Sequence, residues 1–174
     1  MNPATETKLR RIERFSSLLR GVCAALTVPV GILALFITGA AWLSRNGHLA
    51  YLDQSIAMDD LSNAGRVLVS VLALASGAVV ITALVQLRRL LGNYARREIF
   101  TADSARQLRN FGVSCMLWGI LKVGWAFLPL ATVSHGAQPV RLQGDTIMIG
   151  LALVLLSWFA EMAAELREEN DLTI

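Results

Sequence analysis

The sequence has few of the residues on which metal and disulfide sites depend. Its 174 residues include two cysteines and two histidines. Cys23 and Cys115 lie inside apolar runs without a C-x-x-C spacing, so they predict neither a disulfide framework nor a metal site. His48 and His135 fall in separate loops, whereas metal-dependent membrane proteases need His-Glu clusters on helices. The chain is therefore not expected to be an enzyme or to bind a metal or a cofactor.

Charged residues are also scarce, and their distribution divides the chain into apolar blocks. They make up 17% of the residues, while 55% are hydrophobic; a soluble domain carries about a quarter charged residues. A helix needs roughly 20 apolar residues to cross the hydrocarbon core of a bilayer. Four blocks reach or approach that length, at about residues 18–43, 67–87, 111–133 and 146–166. The sequence therefore predicts one all-α membrane domain over residues 1–174, an integral four-helix bundle.

The arginines predict how this bundle is oriented in the membrane. Residues 88–109 hold six arginines between the second and third apolar runs. Basic residues concentrate in the cytoplasmic loops of membrane proteins. Twelve of them fall in the N-terminal segment, the loop 88–110 and the C-terminal tail, against three in the outer loops 44–66 and 134–145. Both termini and the loop 88–110 are therefore predicted to be cytoplasmic.

The loop between the second and third spans is predicted to be a helical hairpin. Residues 87–94 are expected to continue the second helix beyond the bilayer. Thr101 or Asp103 is a suitable N-cap for a helix that begins near Ser104 and continues into the third span. Arginines at this boundary are expected to contact lipid phosphates. The four residues assigned to that role are Arg88, Arg89, Arg106 and Arg109.

Two charged cytoplasmic surfaces are candidates for binding a protein partner, one in the hairpin and one in the acidic C-terminal tail. Exposed charges can give specificity for the complementary face of a partner. Alternatively, the arginines contact lipid phosphates and the tail contacts the arginines, each exposed ion pair contributing about 0–1 kcal/mol. The candidate residues are Tyr94, Arg96, Arg97 and Phe100 in the hairpin, and Glu168, Glu169 and Asp171 in the tail.

Lys122 is the least expected residue of the third span. It follows Phe111 by 11 residues, which corresponds to a depth of about 16 Å at 1.5 Å per residue, near the middle of the bilayer. A charge there costs roughly 2.5–3.5 kcal/mol on insertion scales, so Lys122 is expected to face the bundle interior. Glu161 in the fourth span is the nearest candidate partner. The pair is interpreted either as a proton or ligand site or as a contact that holds the helices together.

The second span contains a pair of small residues at a four-residue spacing. Ala73 and Gly77 have the small-xxx-small pattern that lets helix backbones approach closely. Close packing against another helix is therefore predicted at this face. That helix belongs either to the same chain or to a second copy.

The hairpin and the C-terminus resemble one bacterial membrane family. The similar stretches are Leu90-Leu91-Gly92-Asn93-Tyr94, Glu98-Ile99-Phe100-Thr101, Leu108-Arg109 with Gly112, and the ending LREENDLTI. The family is known as domain of unknown function 2975, small proteins with four predicted spans and no established enzymatic activity. A glycine is often found in the family where this chain has Arg97. The resemblance implies a multi-pass protein of the bacterial inner membrane that accompanies a small helix-turn-helix transcription regulator.

Two functional hypotheses of different classes follow. The first is a membrane-anchored regulatory or interaction protein that binds or sequesters a cytoplasmic partner, such as that regulator. The second is a small transporter or channel component that uses the buried Lys122/Glu161 pair. A homo-oligomer could supply the pathway that a single small chain lacks. A Ser–Lys dyad of Lys122 with Ser114 or Ser157 has no supporting spacing. Direct binding of nucleic acid is not expected, because the arginines lie at the lipid surface.

Overall fold

The described part of the chain contains four long helices. The computed structural model describes residues 3–43, 48–51, 54–57, 62–96, 101–131 and 144–171, with side chains described within 16–43, 62–96, 101–128 and 144–166. All four helices are long and apolar enough to cross a membrane, which confirms the predicted class of four membrane-length helices. They are α1 (Pro3–Leu43), α2 (Asn63–Ala95), α3 (Ala102–Ala131) and α4 (Asp145–Asp171).

A short β-hairpin between α1 and α2 is a feature that the all-α prediction did not include. Strand β1 (His48–Tyr51) pairs antiparallel with β2 (Gln54–Ala57), and His48 is opposite Ala57 in the register. Each strand has only four residues. An isolated pair of such strands has little intrinsic stability, so its sequence signal is weak beside those of the helices.

The packing of the bundle places small and hydroxyl side chains inside and large apolar side chains outside. In the described part of the chain, the buried polar residues are all serines, such as Ser76 and Ser157. Large apolar side chains are exposed, including Phe36 at 69% and Phe159 at 67%. Extended apolar surface of this kind is rare in soluble monomers, whereas small interfacial residues are typical of helices packed within lipid. The arrangement supports contact between these outer faces and a bilayer.

Consecutive helices pack against each other in antiparallel order, α1 on α2, α2 on α3 and α3 on α4. Hydrogen bonds connect neighbouring helices at several levels. The indole Nε1 of Trp42 donates to Ser70 Oγ at 3.1 Å, and that of Trp125 donates to Ser76 Oγ at 3.1 Å. Apolar residues from α1, α2 and α3 form a core around these bonds: Ile37, Ala41, Val69, Ala73, Trp125 and Leu128.

The small-residue pair in the second span packs against α1 of the same chain. Ala73 and Gly77 are both buried. A Cβ added at Gly77 would lie 2.7 Å from the Cβ of Ala34, which is closer than two carbon atoms can pack. The prediction of a close helix approach at this face is therefore confirmed, and its partner is intramolecular.

Candidate functional site

One end of the bundle, at which α2 ends and α3 begins, carries most of the predicted functional residues; we call it the arginine end. Helix α2 continues to Ala95, where the backbone N–H of Arg96 donates to the carbonyl oxygen of Asn93 at 3.0 Å. Thr101 Oγ1 accepts a hydrogen bond from the backbone N–H of Ser104 at 3.2 Å, so Thr101 is the N-cap of α3. Both helix boundaries are as the sequence predicted.

A cavity of 420 Å³ opens between α1, α2 and α3 at the arginine end. Arg20 reaches it from α1, and a guanidinium nitrogen of this residue lies 3.9 Å from the position of a Cβ added at Gly92 on α2. Val85, Arg89 and Arg96 share one face of α2, because they follow each other at intervals of four and seven residues. The polar lining consists mainly of Arg20, Arg88, Arg89 and Arg96, with Asp103 and Gln107 from α3.

Side-chain hydrogen bonds hold the two helices of the arginine end together. The Nδ2 of Asn93 on α2 donates to Asp103 Oδ2 on α3 at 2.9 Å. Two turns of α2 towards the opposite end, Ser114 Oγ donates to Gln86 Oε1 at 3.0 Å. These contacts fix the position of α3 relative to α2, so the cavity wall is built from connected elements. The carboxylate of Asp103 is held by an amide donor, which leaves the arginines as the dominant charges of the cavity.

The four arginines assigned to lipid phosphates have different surroundings. Arg88 and Arg89 are exposed and line the cavity. Arg106 is exposed and is not part of the cavity lining. Arg109 lies 3.8 Å from Glu161 Oε2, and both side chains are partly exposed. An ion pair in that setting contributes little stability. The lipid contact itself stays a prediction for all four.

The predicted partner-binding residues are only partly within the described structure. Tyr94 is half-buried at the end of α2, and Arg96 is exposed beside it. Arg97 and Phe100 lie outside the described residues. Glu168, Glu169 and Asp171 belong to the last turns of α4, where the described structure covers the backbone and not the side chains. A contact between tail and hairpin therefore stays a prediction.

The register of α3 and α4 separates Lys122 from Glu161, its candidate partner. A Cβ added at Gly119 would contact Ile147, so Lys122 lies level with the beginning of α4. Glu161 is near the opposite end of α4, next to Arg109. The two positions differ by roughly 25 Å along the helix axes at 1.5 Å per residue. Lys122 is half-buried near the beginning of α4.

Sequence reasoning did not assign Arg20, Asp103 or Gln107 to the site. Arg20 is the last charged residue before the first apolar run, and its place beside Gly92 depends on the antiparallel register of α1 and α2. No local pattern reports that register. One signal could have suggested it. Arg20 immediately precedes the first span and Arg88 immediately follows the second, so antiparallel packing of these spans would bring the two residues to the same level.

Comparison with known proteins gives a family and no characterised relative. No curated protein matches the chain, and no solved structure matches it. The family described as "Protein of unknown function (DUF2975)" matches residues 17–174, from the beginning of the first apolar run to the C-terminus. The match includes all of the arginine end and its cavity. The chain therefore belongs to the DUF2975 family.

Proposed function

We propose that this chain is a multi-pass protein of a bacterial inner membrane that binds a cytoplasmic regulatory protein at its arginine end, without enzymatic activity. The observation that carries the proposal is the concentration of exposed guanidinium groups at one end of a bundle whose sides are apolar. Arg88, Arg89 and Arg96 are all exposed there. A surface of this charge attracts and orients an acidic face of a partner.

The cytoplasmic orientation of the arginine end is part of this proposal. Contacts between Arg20 and Gly92, Asn93 and Asp103, and Arg109 and Glu161 bring all four helices to this end. The N-terminal part of α1 and the C-terminal part of α4 are therefore on the same side as the arginines. Because basic segments stay in the cytoplasm, this common side is the cytoplasmic one.

The chemistry of the partner follows from the surface it would meet. An acidic face is favoured by the arginines, and the aromatic ring of Tyr94 is available beside Arg96 for stacking or apolar contact. The resemblance discussed above suggests a small helix-turn-helix regulator encoded next to this chain. Holding such a regulator at the membrane would keep it away from its DNA. The acidic tail then modulates binding by competing with the partner for the arginines.

The proposal is tested by measuring the affinity of the detergent-solubilised full-length chain for the purified regulator encoded beside its gene. Charge reversal by Arg96→Glu is expected to weaken binding by about tenfold or more, because a desolvated charge pair turns into a repulsive one. Arg141→Glu makes the same charge change in the predicted outer loop 134–145 and serves as the matched control. Equal affinity of both variants and the unchanged chain would contradict the proposal.

Removal of residues 165–174 is the second arm of this experiment. If the tail competes for the arginines, the shortened chain binds the regulator more tightly; if the tail is itself a docking surface, binding weakens. Unchanged affinity would exclude the tail from the interface.

The transport alternative depends on a contact between Lys122 and Glu161 that the helix register does not favour. It required a charged pair of Lys122 and Glu161 in a path across the bilayer, and Glu161 is instead next to Arg109 at the arginine end. The proposed interaction function does not depend on that pair.

A further inference from the structure

We propose that the cavity at the arginine end binds a ligand with two linked phosphate groups, either a soluble diphosphate or the head group of a two-phosphate lipid. This inference does not rest on the proposed regulatory partner. It rests on the cavity between α1, α2 and α3, with a volume of 420 Å³. That volume is within the range of about 300–1,000 Å³ found for small-molecule sites.

The charges of the cavity favour an anion. Arg20, Arg88, Arg89 and Arg96 line it, and Asp103 is the only carboxylate among its lining residues. Within the described residues, none of the four guanidinium groups is within ion-pair distance of a carboxylate; the ion pair found there belongs to Arg109. Four cations around one cavity with a single carboxylate leave an excess of positive charge, and a bound anion would offset their mutual repulsion.

The type of cation favours phosphate. A guanidinium group has a planar fork of N–H donors that matches two phosphate oxygens, and Arg–phosphate pairs are commonly bidentate. A phosphate monoester offers three pairs of terminal oxygens, so it cannot pair in a bidentate way with all four guanidinium groups. Two linked phosphates can, with Arg20 on one wall and the α2 arginines on the other. The amide of Gln107 adds a neutral donor from the third wall.

The position of the cavity permits both sources of the phosphates. Val85 belongs to its lining and is also partly exposed on the apolar span. Acyl chains of a lipid could therefore lie along α2 while the head group enters between the arginines, as in basic pockets between transmembrane helices that bind cardiolipin. A soluble diphosphate would enter from the aqueous side. The two sources differ only in what is attached to the phosphates.

The test uses the full-length chain and two probes, one for each source. Inorganic pyrophosphate is titrated calorimetrically into the protein in neutral detergent. Cardiolipin binding is measured in phosphatidylcholine nanodiscs with and without cardiolipin, by native mass spectrometry of the retained lipid. Saturable pyrophosphate binding at about 0.15 M salt indicates a soluble ligand, and retention of cardiolipin without pyrophosphate binding indicates a lipid. Absence of binding in both arms would overturn the proposal.

Variants determine whether binding occurs in the cavity. The double change Arg89→Gln with Arg96→Gln is expected to weaken binding about tenfold or more, because it removes two charge-assisted contacts. Arg106→Gln is the matched control, since Arg106 is an exposed arginine of the same end outside the lining; a change below about twofold is expected. An equal loss for the control would mean diffuse attraction by surface charge and would contradict a site.

If the double variant does not fold, a variant that is expected to strengthen binding still tests the proposal. Asp103→Asn removes the negative charge from the cavity and retains an oxygen that can accept the Asn93 amide. Phosphate affinity is expected to rise about two- to tenfold. Unchanged or weaker binding by this variant would overturn the proposal.

Discussion

The hydrogen bond between Trp125 and Ser76 connects α2 and α3 at a buried position. The indole Nε1 donates to the serine oxygen at 3.1 Å, and only 3% of Trp125 is exposed. Lipid offers no water to replace a lost hydrogen bond, yet measured contributions within membrane bundles average about 0.6 kcal/mol and reach about 1.7 kcal/mol. This contact is therefore a modest contribution to stability that can be measured.

We expect Trp125→Phe and Ser76→Ala to be non-additive, with a coupling free energy of about 0.6–1.7 kcal/mol. The first change keeps most of the aromatic surface and removes the donor, and the second removes the acceptor. A double-mutant cycle on the free energy of unfolding in mixed micelles measures the coupling. Trp118→Phe combined with Ser76→Ala is the control cycle, which should be additive. Additivity in both cycles would exclude the bond as a stabilising contact.

At the scale of helices, the contact between α3 and α4 depends on two glycines that let the backbones touch. A Cβ added at Gly150 would lie 2.7 Å from the carbonyl oxygen of Gly112 and 2.8 Å from the backbone nitrogen of Met116. Backbone atoms cannot move away without separating the helices. The same contact determines the register, and hence the position of Glu161 beside Arg109.

Gly150→Ala is therefore expected to lower the free energy of unfolding by about 1–3 kcal/mol, as other overpacked substitutions do. Gly21→Ala is the matched control, since nothing lies within 4 Å of a Cβ added there. That change should be neutral or should stabilise α1 by up to about 1 kcal/mol, because alanine is the better helix former. The free energies of unfolding of the two variants are measured in mixed micelles. A Gly150→Ala protein as stable as the unchanged chain would contradict the close approach of α3 and α4.

Local patterns predicted the four helices and the N-cap of α3, while relations between helices were harder to predict. Four apolar runs and the Thr101 N-cap are properties of short segments, and both are present in the structure. The Lys122–Glu161 pairing assumed that two charges inside a bundle find each other. The antiparallel register of α3 and α4 instead places them at different levels. That register depends on glycine contacts between the helices, and the sequence does not show which residues those glycines contact. The location of Arg20 in the cavity was missed for the same reason.

At the scale of the whole molecule, the antiparallel order of the helices leaves two possible orientations of the bundle in the membrane. Because the arginine end collects both terminal segments, one labelling experiment orients every helix. We expect a single cysteine at Asn63→Cys to react with a membrane-impermeant maleimide in intact cells, in a chain whose native cysteines are replaced. Ala102→Cys should react only after permeabilisation, since positive segments stay inside. The reverse pattern would invert the bundle and remove the proposed cytoplasmic docking surface.

The length of α1 has a consequence for the place at which the cavity meets this helix. The helix has 41 residues, Pro3–Leu43. Its uninterrupted apolar run follows Arg20, and residues 3–19 form a polar part of the same helix, about 25 Å long at 1.5 Å per residue. Arg20 is near the junction of these two parts. A phosphate held by this guanidinium would therefore lie at the point where α1 changes from an apolar to a polar helix.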